Sequence, residues 1–152
     1  MLFDTFVAPL LGLPVSHVWE GYGTALFLEF GVLTPRPPRS DGSPSNPDGE
    51  MGLMLEGGWR LEGRRSILCG SATDAARWQR ALGRLRGATV IGATLVGRLP
   101  EIDLELSTGW HVVSQTTTGG GPRWTLFDHR GAGCRWLTVE HGRLQVGESR
   151  ES

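Results

Sequence analysis

The sequence predicts a mainly β protein: an antiparallel β-sandwich or partly open barrel made from two pseudo-twofold-related β units, with one crossover helix. Three observations predict it. Leu26-Phe27-Leu28-Glu29-Phe30-Gly31 returns about 76 residues later as Ile102-Asp103-Leu104-Glu105-Leu106-Ser107-Thr108-Gly109, the pattern of one unit written twice. Short alternating segments rich in β-branched and aromatic residues recur every 8 to 12 residues or so, between glycine-rich turns. Helical periodicity is confined to one segment, whereas a parallel α/β sheet needs a helix between successive strands.

The first fifteen residues are apolar but carry Asp4 and no basic residue, and they meet Pro9 and Pro14 before any spanning length is reached. Neither a signal peptide nor a membrane helix fits that pattern, and a cytoplasmic protein is expected. The first unit, about residues 10–70, opens at Leu11-Gly12-Leu13-Pro14-Val15, matched later by Arg86-Gly87-Ala88-Thr89-Val90. Strands are expected over Pro14 to Trp19 and Thr24 to Phe30 around a Glu20-Gly21-Tyr22-Gly23 turn, with Leu26, Leu28 and Phe30 pointing inward. Residues 34–49 hold five of the nine prolines together with Ser, Asp, Asn and Gly, which predicts a flexible surface loop. A strand then runs from Glu50 through Met54. Gly57-Gly58 makes a bend before a strand over Trp59 to Leu61, and Ser66 to Cys69 returns as another.

A helix over about residues 72–86 links the units, with Ser71 or Thr73 as cap, Asp74 at its positive end and Gly87 as its stop. Ala75, Trp78, Ala81 or Leu82, and Leu85 recur at helical spacing, leaving Arg77, Arg80, Arg84 and Arg86 on a solvated face. The second unit, about residues 87–147, reads as strands over Thr89 to Val96, Glu101 to Ser107, Trp110 to Thr116, Arg123 to Phe127, Arg135 to Glu140 and Leu144 to Val146. Arg123-Trp124-Thr125-Leu126 answers Gly58-Trp59-Arg60-Leu61.

The length of 152 residues and a hydrophobic content of 39% suit one domain over residues 1–152. A formal net charge of -1 argues against a nucleic-acid or membrane-surface partner, which would call for a cationic face. All 15 cations are arginine and Asn46 is the one asparagine, a bias that reads first as a GC-rich genome. Cys69 and Cys134 are too few for a disulfide scaffold and are expected as free thiols.

The chemistry-bearing residues form no convergent set. His129, Cys134 and His141, flanked by Asp128 and Glu140, offer donors that zinc accepts, but the spacing matches no established site. Cys69 lies inside Ile67-Leu68-Cys69, where burial raises a thiol pKa and keeps it inert, so His17, His111, His129 or His141 gains no nucleophile to activate. The Thr116 to Gly121 run lacks the strand-to-helix context and the lysine of a phosphate loop and is expected as a hairpin loop able to bind. No catalytic residue, metal site or cofactor is predicted.

Glu29 and Glu105 occupy equivalent positions and can be paired carboxylates across a twofold axis, or the polar sides of two alternating strands. Of the six tryptophans, Trp59 and Trp124 occupy matched positions, where they either pack the core or flank a central cleft. These four residues are the candidate binding residues.

From Gly58-Trp59-Arg60-Leu61 through Ile67-Leu68-Cys69-Gly70-Ser71-Ala72-Thr73-Asp74, the chain resembles a group of small uncharacterised bacterial β proteins in which a tryptophan strand precedes a Gly-Ser and a nearby aspartate. The long proline loop departs from their compact hairpin. The resemblance implies no activity; some similar proteins accompany secreted toxins as immunity partners. The function expected is therefore a non-catalytic, protein-binding module, an immunity protein or adaptor, with exposed β edges also suited to a homodimer. The alternative is a small-ligand binder or hydrolase at the junction of the two halves, using Glu29, Glu105 and a histidine.

Overall fold

A computed structural model describes residues 1–117 and 119–149, and the arrangement is a two-sheet antiparallel sandwich. The chain begins with α1 (Leu2–Val7), which tightens into a 3-10 turn at Ala8–Leu10. Five strands follow: β1 (Val15–Glu20), β2 (Leu26–Phe30), β3 (Met51–Leu55), β4 (Trp59–Glu62) and β5 (Ile67–Gly70). After α2 (Ala75–Gly83) come β6 (Val90–Val96), β7 (Glu101–Leu106), β8 (His111–Ser114), β9 (Trp124–Asp128), β10 (Cys134–Glu140) and β11 (Arg143–Ser149). Among the described residues no helix is long and apolar enough to cross a membrane.

Each half contributes strands to both sheets. The first sheet runs β1-β2-β3-β9-β10-β11 and the second β5-β4-β8-β7-β6. Three strands of one half are thus continued by two or three of the other, joined at β3·β9 in the first sheet and β4·β8 in the second. Period-two alternation sets which side chains enter the core. Leu26, Leu28 and Phe30 of β2 point between the sheets, as do Ile102, Leu104 and Leu106 of β7, and all six are buried.

Contacts at the meeting of the halves come in matched pairs. Gly12 N–H donates to Val90 O at 2.7 Å, and Gly87 N–H donates to Val15 O at 2.9 Å. Both glycines have φ +88°, the left-handed region that a side chain disfavours. Pro14 and Thr89 form an isolated bridge between them. Trp59 donates its indole N–H to Thr24 O at 2.8 Å, and Trp124 donates to Pro100 O at 2.9 Å. Trp78 of α2 meets Trp59 edge-on, and Phe3 of α1 meets Trp124 in the same way.

These contacts correct the expectation of a single helix serving as a linker. The N-terminal segment is a second helix, because Phe3, Phe6, Val7 and Leu10 fall on one side of it and bury themselves under the sandwich. Its shortness and lack of a capping side chain hid it. α1 precedes the five strands β1 to β5 and α2 the six strands β6 to β11, so α2 takes for the second set the place that α1 takes for the first. The cap also differs from expectation: Asp74, not Ser71 or Thr73, accepts the Arg77 N–H at 3.1 Å. Thr73 instead accepts from Gly70 N–H.

The proline-rich segment leaves β2 and returns to β3 as a loop closed at its base. Thr34 and Asp48 form an isolated bridge, with backbone hydrogen bonds of 2.7 and 3.0 Å in the two directions. Asn46 Oδ1 accepts a hydrogen bond from His17 Nε2–H at 2.9 Å, tying the loop across the outer face of β1.

Candidate functional site

The outer face of the first sheet holds a cup beneath the proline-rich loop. Alternation turns Phe27 and Glu29 of β2 away from the core, onto the same face as Trp19 of β1 and Phe127 of β9. Trp19 and Phe27 sit opposite each other in register and stack with ring centroids 3.9 Å apart. Phe127 lies nearly parallel to the ring of His129, just beyond β9. The loop brings Asp48 and Arg36 over the rim, and the half-open cavity measures about 220 Å³.

At its floor lies Glu29, only 5% exposed. Its carboxylate accepts from Trp19 Nε1–H at 3.0 Å on one oxygen and from Gly49 N–H at 3.1 Å on the other. Gly52 on β3 is its in-register neighbour. A Cβ there would come within 2.9 Å of Glu29 Oε1, so the missing side chain makes the space that the carboxylate occupies. Burial pushes the Glu29 carboxyl above its ordinary pKa, the two donors pull it back, and the charge of Asp48 adds to the rise. Two nitrogen-bearing side chains approach Asp48 without hydrogen-bonding it: Arg36 Nε is 3.8 Å from its carboxylate and His129 Nε2 is 4.0 Å from it. A buried acid beside a second acid, hydrogen-bonded to an indole and a backbone amide and to no basic side chain among the described residues, is an arrangement that a positive charge stabilises.

The matching row on the second sheet is completed differently. There Glu105 pairs with His111 of β8, and His111 with Glu62 of β4; on the first sheet the same row reads Glu29, Gly52, Phe127. His111 Nδ1 makes a 2.7 Å hydrogen bond to Asp103, and its Nε2 lies 3.9 Å from Glu105. The hydrogen bond to Asp103 is the main reason that the imidazole pKa is raised. An imidazole therefore stands where the first sheet has a glycine with the Glu29 carboxylate against it.

The candidate binding residues separate accordingly. Glu29 and Glu105 do not face each other: both point outward, from different sheets, and only Glu105 is open to water. Trp59 and Trp124 flank no cleft. Each is about 2% exposed or less and packs in the core. Where the halves meet, Leu10, Val15, Leu85 and Val90 are packed and buried. A groove of about 400 Å³ beside that junction, between β1 and α2, is lined by Glu20, Gln79 and Arg86 and by neither Glu29 nor Glu105.

His129, Cys134 and His141 do not gather as one donor set among the described residues. His141 instead takes φ 52° in the β10–β11 turn. Cys69 is buried, and burial pushes its thiol pKa up. The Thr116 to Gly121 loop includes Thr118, which lies outside the described residues.

Sequence reasoning found Glu29 and missed its neighbours. Asp48 and His129 reach it from a loop and a strand end far away in the chain. Gly52 is the residue that carried a signal, since aligning the halves through their paired strands sets it against His111. No protein-family model, curated protein or solved structure matches the chain.

Proposed function

We propose that the protein is a non-catalytic binding module, of the kind that serves as an immunity protein or adaptor, and that the cup around Glu29 is its recognition site for one positively charged group. The observation that carries this reading is a buried carboxylate that lines a cavity and lies over Gly52, where the equivalent row supplies an imidazole. The aromatic surfaces of Trp19 and Phe127 add walls whose π faces attract cations. Rigid strands hold both acid and walls, while the loop supplies an adaptable rim.

Tryptophan fluorescence tests the reading, because the Trp19 indole is bonded to the carboxylate that a cation would contact. Titration at constant ionic strength with methylguanidinium, methylammonium and divalent metal ions is expected to give one saturable site for at least one of them. Gly52→Ala narrows the space at Glu29 and is expected to weaken that site at least tenfold, with Glu105→Gln leaving it unchanged. Absence of any saturable cation, or equal loss in both variants, would reject the cup as the recognition site.

A further inference from the structure

The cup presents metal-ligand chemistry as well as charge. Glu29, Asp48 and His129 each place one donor atom within 4.8 Å of the others. Resting on the reading of the cup as a cation site, we infer that its cation is a divalent metal ion of the zinc class, ligated by these three side chains.

The donor set is one imidazole nitrogen and two carboxylate oxygens, which borderline-soft ions accept and which leaves further coordination positions free. The separation of His129 Nε2 from Asp48 Oδ1, 4.0 Å, is too long for a hydrogen bond. Two ligands each about 2.1 Å from a shared ion stand roughly 3.4 Å apart at a tetrahedral angle, so a closure of about half an ångström brings this pair into range. Asp48 and His129 can supply that movement, since both lie outside the regular strands and are partly exposed.

Glu29 is the fixed member. The Trp19 and Gly49 donors each use one lone pair on one of its oxygens and hold the carboxylate in orientation, leaving further lone pairs for a metal. Stacking against Phe127 similarly fixes the plane of the His129 ring. Two features outside the donor set point the same way. The cavity of about 220 Å³ exceeds what an ion alone needs, leaving room for solvent or a partner's donor atom. The matched row of the second sheet places its own nitrogen base beside the equivalent glutamate.

Equilibrium dialysis and calorimetry of the full chain, freed of metal and titrated with zinc or manganese ions alone, test the assignment. One ion per chain is expected. His129→Asn should weaken binding at least tenfold without depending on the behaviour of the buried Glu29, and Glu29→Gln should do the same. His111→Asn, which removes the histidine-carboxylate group of the second sheet, should leave binding unchanged. Binding lost with His111→Asn, or undiminished in His129→Asn, would overturn the site. If metals fail to bind while methylguanidinium or methylammonium saturates a site sensitive to Gly52→Ala, the metal assignment falls and the cup remains a cation site. If none of these cations binds, both readings fall.

Discussion

On the outer faces of the two sheets, one strand row is built with opposite solutions to the same electrostatic problem. On the second sheet Glu105, His111 and Glu62 lie side by side, with Asp103 bonded to the imidazole. Positive charge can come from within the row, and the acids stay hydrated. On the first sheet the corresponding positions are Glu29, Gly52 and Phe127. The loop covers the acid, glycine stands in the row where the second sheet has its imidazole, and a phenyl ring replaces the second acid. Exposure lets one row satisfy itself with water and a histidine, whereas burial leaves the other dependent on what enters the cavity.

The comparison assumes that the halves are anchored alike beneath these faces, and its largest test lies in the core. Trp59→Ala and Trp124→Ala should each cost about 3–5 kcal/mol, measured by urea unfolding, because each indole is buried, hydrogen-bonded to a matched carbonyl and packed edge-on against a helix ring. A small cost for one and a large cost for the other would show that the matched geometry conceals unequal anchoring.

The two faces should also titrate in different windows. Glu29 has a raised pKa in the fold, so its contribution to stability is fully present below the ordinary glutamate value and lost as pH rises through the elevated one. His111 is raised as well; its contribution is present below the ordinary histidine value and lost as pH rises through the higher folded value. Chemical denaturation across pH should therefore show a fall in stability in the acidic range that Glu29→Gln flattens. A smaller fall near neutrality should be flattened by His111→Asn. The second is smaller because His111 is 33% exposed and water screens its pairing. If Glu29→Gln leaves the acidic limb unchanged, the carboxylate is not held in an unfavourable setting and the contrast between the faces dissolves.

Much of the sandwich was legible because it is written locally. The alternation of Leu26, Leu28 and Phe30 and the recurrence at Ile102, Leu104 and Leu106 report a buried face directly. The proline spacing likewise marked the loop. What escaped depends on tertiary contact. α1 has too few residues for periodicity to stand out and gains its stability from Phe3 and Phe6 packing beneath the sheets. The cup escaped for a related reason. Glu29 reads as a solvated strand residue until the loop that buries it is in place, and a glycine's importance at position 52 is visible only against His111. The exchange of strands between halves was likewise hidden, since nothing in a strand's own pattern says which sheet it joins.

Arg36 offers the finest discrimination. Its guanidinium is the loop's own cation at the rim, 52% exposed and 3.8 Å from Asp48, a separation at which an exposed pair contributes little to folding. Arg36→Ala should therefore alter stability by no more than about 0.5 kcal/mol. Its effect on binding should have a definite sign. Removing a positive charge from the rim leaves Asp48 freer and lowers repulsion toward an incoming cation, so affinity should rise, most strongly at low ionic strength where screening is weakest. Lower affinity in Arg36→Ala would mean that the guanidinium helps to hold the ligand, and the occupant would then carry negative charge. The same substitution thus decides between a cup that lacks a cation and one that already contains it.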